Sequence, residues 1–180
     1  MLIKILSNII NCIGSTLNMI GINVKDKSKV LIFFIFGNLC VAIGLGLLNA
    51  KAGMFVQLTF VVETIINYFW DKKNDKYPIW MILLYVIVPC ILLIITFDSV
   101  WNILPLIGGI VFPLALLSKG FKLRFLNFIS VVVWIPYNFH VGQYVGTISC
   151  IIFAIMNAIA IIRLDIIKRK DEVEGIEKWE

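Results

Sequence analysis

Charge is scarce in this chain, and its placement is more informative than its amount. Asp, Glu, Lys and Arg make up 15% of the 180 residues, and long stretches hold none of them. A soluble domain of this length needs more polar surface than such a composition supplies. With 61% hydrophobic residues and a mean hydropathy of +0.98, most side chains must have a bilayer as their solvent. Histidine is nearly missing: His140 is the sole one, so neither a histidine-rich metal cluster nor a repeated His-based site is available. No Ser-His-Asp set, paired carboxylate site, phosphate loop or metal-ligand spacing occurs, so no cofactor is expected and an enzyme is the poorer reading. Cys12, Cys40, Cys90 and Cys150 are few and far apart. Each falls in a hydrophobic run and reads as a buried free thiol, outside any disulfide framework.

What is present is a series of hydrophobic runs with basic residues between them. Seven spans are predicted: Leu2 to Val24, Val30 to Ala50, Gly53 to Trp70, Tyr77 to Phe97, Val100 to Leu117, Leu123 to Val141 and Val145 to Ile162. Each has roughly the 17 to 25 residues that an α-helix needs to cross a bilayer. The runs are continuous and do not alternate, which excludes the strands of a membrane β-barrel. The fold class is therefore an all-α membrane protein with seven transmembrane helices. The first run is broken by Asn8, Asn11 and Asn18 and lacks a small-residue cleavage site, so it reads as a retained helix and not a signal peptide.

The net charge of +5 and the isoelectric point near 9.1 reflect loops, because the basic residues cluster between spans. A lipid bilayer is the partner this pattern implies, and nucleic acid is not. With the N-terminus outside, 14 of 16 basic residues lie on the cytoplasmic side and only Lys4 and Lys51 lie outside. That asymmetry predicts an outer N-terminus and a cytoplasmic C-terminus. Trp70, Trp80 and Trp101 fall at span ends, where indole rings favour the headgroup region. Residues 166–180 form a charged cytoplasmic tail, with Lys168, Arg169 and Lys170 as a basic anchor at the lipid surface.

The chain also reads as two copies of one plan. Residues 1–70 and 100–165 each contain three spans, with a basic loop after the first and a tight turn after the second. Lys29 and Lys122 are separated by the same offset as Gly53 and Gly146. Residues 71–99, with the single span Tyr77 to Phe97, join the two blocks. One linking span makes the blocks parallel, a 3+1+3 repeat of three-helix bundles, with the linker at the periphery.

Trp101-Asn102-Ile103-Leu104-Pro105-Leu106-Ile107-Gly108, Trp134-Ile135-Pro136-Tyr137-Asn138, Val141 to Gly146 and Ile162-Arg163-Leu164-Asp165 together resemble the YgjV family of bacterial inner-membrane proteins. The resemblance covers most of the chain and implies a multi-pass protein of the bacterial inner membrane. More distantly, the layout is similar to SWEET sugar transporters and PnuC nicotinamide riboside transporters. The stretch Gln57 to Trp70 loosely resembles the glutamine-then-aromatics segment of the latter. SWEET proteins carry a proline in each of four inner helices. Here Pro105, Pro113 and Pro136 lie only in the second block, and Gly14, Gly37 and Gly44 stand in the first.

Six residues are singled out as a solute-contacting set: Asn157, Glu63, Asn67, Trp134, Asn138 and Gln57. Glu63 is the one acid well inside a predicted span, where an ionised side chain costs on the order of 3 kcal/mol. It serves either a solute pathway or, hydrogen-bonded to Asn67 on the same helical face, the packing of helices. Asn157 occupies the position in the last span that Thr64 holds in the third, so in a repeat the two would face a common cavity. The alternative is an interhelical hydrogen bond worth roughly 1 kcal/mol. Trp134 and Asn138 flank Pro136, whose missing amide frees a carbonyl for cavity-lining polar groups. Asn11, Ser15 and Asn18 share one face of the first span. These features predict a transporter or facilitator for a small polar organic solute of the sugar, nucleoside or vitamin class. The competing reading is a membrane structural or interaction protein without transport, and the sequence leaves self-association open.

Overall fold

A hydrocarbon environment offers the backbone no hydrogen-bond partners, so each apolar run must satisfy its own amides as a helix. The computed structural model describes residues 2–23, 27–71, 78–118 and 120–163. Within them the chain is all-helical, with no strand: α1 (Leu2–Asn23), α2 (Lys27–Leu47), α3 (Lys51–Asp71), α4 (Ile79–Thr96), α5 (Ile103–Leu116), α6 (Gly120–His140) and α7 (Tyr144–Ile161). A single 3-10 turn, Val100–Asn102, leads into α5. Of the predicted basic loops, residues 25, 72, 73, 76 and 119 lie outside the described residues, as does the tail 166–180.

Five of the helices are long and apolar enough to cross a membrane: α1, α2, α3, α4 and α7. The other two predicted spans differ for physical reasons. α5 has 14 residues because its first turn is given to the 3-10 segment. α6 has 21 residues but carries Lys122, Arg124, Asn127, Ser130 and Asn138, which lower its hydropathy. The distribution of side chains is that of a membrane protein. Among the described residues Ile, Leu and Phe cover the outside, while eleven polar side chains, including Asn11, Asn38, Gln57, Glu63, Asn138 and Gln143, are buried.

The helices pack in chain order, α1 with α2, α2 with α3, α5 with α6 and α6 with α7. Lipid gives helices no hydrophobic reason to associate, so close approach at small residues is what joins them. Gly14 meets α2 so closely that a Cβ there would lie 2.6 Å from the carbonyl oxygen of Gly37. Two further contacts cross between the groups, α1 with α7 and α3 with α5. The fourth helix packs against α3 and α5, burying Met81, Tyr85 and Pro89 along one side and leaving Leu83, Leu84, Ile87, Ile91 and Ile94 exposed.

The turns α2–α3 and α6–α7 end their helices in the same way. In the first, Asn49 is left-handed (φ 58°), the amide of Ala50 donates to the carbonyl of Leu45, and that of Asn49 donates to Gly46. In the second, Gly142 is left-handed (φ 78°), the amide of Gln143 donates to Asn138, and that of Gly142 donates to Phe139. Both are Schellman endings, which satisfy the last carbonyls of a helix through one αL residue. Their residues are related by the offset that separates Gly53 from Gly146.

The cysteines require a correction. All four are free thiols, as expected, but Cys12 is exposed on the outer face of α1 and the other three are only half-buried.

Candidate functional site

Polar residues spaced three or four apart bring one face of each helix to a common centre. Asn11, Ser15 and Asn18 from α1, Asn38 from α2, Gln57 from α3 and Asn138 from α6 line a cavity of about 120 Å³. It is large enough for several waters or a small organic group. Helix α5 adds Phe112, and α7 adds Gly146, Ser149, Cys150 and Phe153. No residue of α4 contributes, and none of the lining residues carries a charge.

One wall is aromatic. Phe112 sits with its ring centroid 4.5 Å from Phe60 and 6.3 Å from Phe34, and Phe60 is 6.3 Å from Trp134 in an edge-on arrangement. The rest of the lining is amide and hydroxyl. Ser15 Oγ donates to Asn11 Oδ1 at 3.0 Å, and Asn18 Nδ2 donates to Asn38 Oδ1 at 3.1 Å. Asn138 Nδ2 donates to the Cys150 sulfur at 3.5 Å. Each of these amides keeps one polar end without a protein partner: Asn11 Nδ2, Asn18 Oδ1, Asn38 Nδ2 and Asn138 Oδ1, joined by Gln57 Oε1. Leaving such atoms unbonded costs about 1–3 kcal/mol apiece, so the arrangement favours a guest with both donors and acceptors.

Beside the cavity, the two Schellman turns meet and close the bundle. The hydroxyl of Tyr137 accepts from the amide of Gly53 at 2.9 Å, and a Cβ on Gly53 would come within 2.6 Å of the Tyr137 ring. Ser7 Oγ donates to the carbonyl of Gly44 at 2.7 Å and lies 3.3 Å from Oε1 of the fully buried Gln143. Asn8 Oδ1 accepts from the amide of Val145 at 3.0 Å. Helix α1 is thereby tied to the start of α7.

The predicted site residues separate into three places. Gln57, Trp134 and Asn138 come together in the cavity, with Trp134 only 5% exposed. The stripe Asn11, Ser15 and Asn18 faces it as expected. Asn157 does not line it. Its Oδ1 accepts from Asn127 Nδ2 at 3.1 Å and its own Nδ2 donates to the Phe153 carbonyl, which is the interhelical packing role. Thr64 turns its hydroxyl to the carbonyl of Phe60, and neither it nor Asn157 lines this cavity. A serine or threonine hydroxyl reaches its own preceding turn more easily than a distant centre.

Glu63 and Asn67 belong to a second buried group at the α3–α4 contact. Tyr85 Oη donates to Asn67 Oδ1 at 2.8 Å and lies 3.4 Å from the Glu63 carbonyl. The expected hydrogen bond between the Glu63 carboxyl and Asn67 is absent, and neither carboxyl oxygen has a protein partner. Tyr85 supplies the competing hydroxyl. His140 is exposed and stacks on Trp101 at 4.5 Å with the rings 13° apart. Among the described residues no group of His, Cys, Asp and Glu could hold a metal ion.

Sequence reasoning missed Asn38, Asn127, Ser130, Tyr137, Gln143 and Tyr85. Asn38, Asn127 and Ser130 were visible as polar residues inside apolar runs. Gln143 read as an ordinary turn residue, and only the packing reveals that the turn is buried. No curated protein and no solved structure matches the chain. A family model described as a bacterial inner membrane protein, Imp-YgjV, matches residues 5–168. With its apolar helices of membrane-spanning length, this chain is a bacterial inner-membrane protein and belongs to the YgjV family.

Proposed function

We propose that the chain is a transporter or facilitator for a small polar organic solute of the sugar, nucleoside or vitamin class, working by alternating access between two three-helix bundles. The observation that carries this reading is the cavity itself, which draws its lining from α1, α2 and α3 on one side and α5, α6 and α7 on the other. The bundles are residues 1–70 and 100–165, with 71–99 as linker and 166–180 as a cytoplasmic tail. All seven helices cross the membrane in a parallel 3+1+3 arrangement, with the N-terminus outside. The matching Schellman turns and the paired contacts α1–α7 and α3–α5 support the repeat. The scarcity of basic residues on the outer side supports the orientation. The protein is not an enzyme on this reading, because the lining offers amides and rings but no nucleophile paired with a base. The Tyr137–Gly53 and Ser7–Gln143 contacts act as the outer seal that must part for solute to enter from outside.

A proteoliposome uptake screen over sugars, nucleosides and vitamins tests the reading, with Gln57→Ala and Asn38→Ala as cavity variants. Asn157→Ala and Glu63→Gln serve as variants outside it. Saturable uptake, lost in the first pair and kept in the second, is expected. If no solute is accumulated or exchanged, the transport reading falls. Cysteines placed in residues 72–76 should be labelled only from the cytoplasmic side, and labelling from outside would reverse the orientation.

One set of contacts favours the competing structural reading. Asn18–Asn38 and Asn127–Asn157 are amide pairs joining neighbouring helices, each worth roughly 0.6 kcal/mol or more in a membrane. A protein that only scaffolds would need these pairs and have no use for a solute. Absence of uptake together with loss of stability in Asn157→Ala and Asn38→Ala is the result that would establish it.

A further inference from the structure

We infer that the central cavity selects uncharged hydrogen-bonding solutes and excludes both anions and cations. The inference rests on the reading of this cavity as the solute site and specifies its chemistry. Its lining contains no Asp, Glu, Lys, Arg or His. The buried acid, Glu63, is not a lining residue and sits on α3 beside Tyr85 of α4. A phosphate, carboxylate or ammonium entering from water would lose its hydration without meeting a counter-charge.

The unpartnered atoms point the same way. Asn11 Nδ2 and Asn38 Nδ2 are donors, while Gln57 Oε1 and Asn138 Oδ1 are acceptors; Asn18 Oδ1 is turned to Gly37 of α2. Such a mixture matches hydroxyl and amide groups, which give and take hydrogen bonds at once. It suits neither an anion, which accepts only, nor an ammonium, which donates only. Interchanging the amide oxygen and nitrogen of any one residue preserves the mixture, since each amide offers one end of each kind. The Phe60, Phe112 and Trp134 rings supply the apolar surface on which the carbon skeleton of a ring compound can rest.

Cys150 provides a probe, because it lines the cavity and its sulfur accepts from Asn138. The protein carrying Cys12→Ser, Cys40→Ala and Cys90→Ala, reconstituted in liposomes, is treated with methanethiosulfonates of similar size: hydroxyethyl, aminoethyl as its ammonium, and sulfonatoethyl. Rates are divided by those for a free thiol in solution. The uncharged reagent is expected to label Cys150 faster than either charged one by on the order of 50-fold. Gln57→Glu, which keeps the shape and adds a negative charge, is expected to raise the ammonium rate relative to the sulfonate rate. Charged reagents reacting as fast as the uncharged one, or a ratio unmoved by Gln57→Glu, overturn the charge selectivity and leave the transport reading standing. If none of the three reagents reaches Cys150, the cavity is closed to solutes, and the transport reading falls together with this inference.

Discussion

The turn joining α2 to α3 and the turn joining α6 to α7 share a backbone but differ in the side chains they carry. Each closes its helix with the same pair of hydrogen bonds around one left-handed residue. At matching positions, however, the first has Gly44 and Ala50 where the second has Tyr137 and Gln143. The large side chains of the second turn cross into the first: Tyr137 reaches the amide of Gly53, while Gln143 packs 3.0 Å from where a Gly44 Cβ would stand. The first group of helices receives and the second fills. The comparison teaches that two turns of matching backbone fit each other only when their side chains differ, because two bulky residues or two small ones would leave a clash or a void.

The sharpest break of this comparison is an alanine at each paired glycine. Gly53→Ala places a Cβ 2.6 Å from a Tyr137 ring carbon, whereas Gly146→Ala meets only flexible amide side chains at 3.0 Å and beyond. Both gain about 1 kcal/mol of helix propensity, and overpacking costs about 1–3 kcal/mol. Unfolding in mixed micelles should therefore show Gly53→Ala destabilised by roughly 2 kcal/mol and Gly146→Ala nearly unchanged. Equal losses would mean that the two turns are filled alike.

The left-handed residues give the next largest contrast. Nothing lies within 4 Å of a Cβ on Gly142, so Gly142→Ala reports backbone strain alone and should cost about 1–2 kcal/mol. Asn49 already tolerates φ 58°, and Asn49→Gly should change stability by less than about 0.5 kcal/mol. Tyr137→Phe removes the acceptor from the Gly53 amide, one of the first four of α3, at about 1 kcal/mol. A loss well beyond this would assign the hydroxyl a second partner. The smallest effect is expected for Ser7→Ala, about 0.6 kcal/mol in the same assay, since hydrogen bonds between membrane helices contribute little net stability.

The fold was more legible in the sequence than the site was. Helix positions followed from continuous apolar runs, because in a bilayer an apolar stretch of that length has one way to satisfy its backbone. The stripe Asn11, Ser15 and Asn18 was readable for a similar reason, since lipid on the other faces leaves polar residues one direction to point. Asn157 shows where this logic ends. Its spacing put it on the inner side of α7, but a neighbouring amide, Asn127, captured it before the cavity could. Which of several inward amides pair with one another depends on helix rotations of a few tens of degrees, and no periodicity encodes these. Glu63 was legible as buried but not as a neighbour of α4, because Tyr85 stands in a run that reads simply as apolar.

The ties between Ser7, Asn8 and the start of α7 also bear on how the protein is made. Helix α1 carries Asn11, Ser15 and Asn18, and its ties to Gln143 and Val145 join positions 136 and 137 residues apart in the chain. Until α7 docks, α1 lacks one of the helices packed directly against it, and that polar stripe is open on one side. Assembly of these helices therefore includes a ring closure, in which α7 seals against α1. A chain halted after α6 would expose the stripe as a handle for insertion chaperones and membrane proteases.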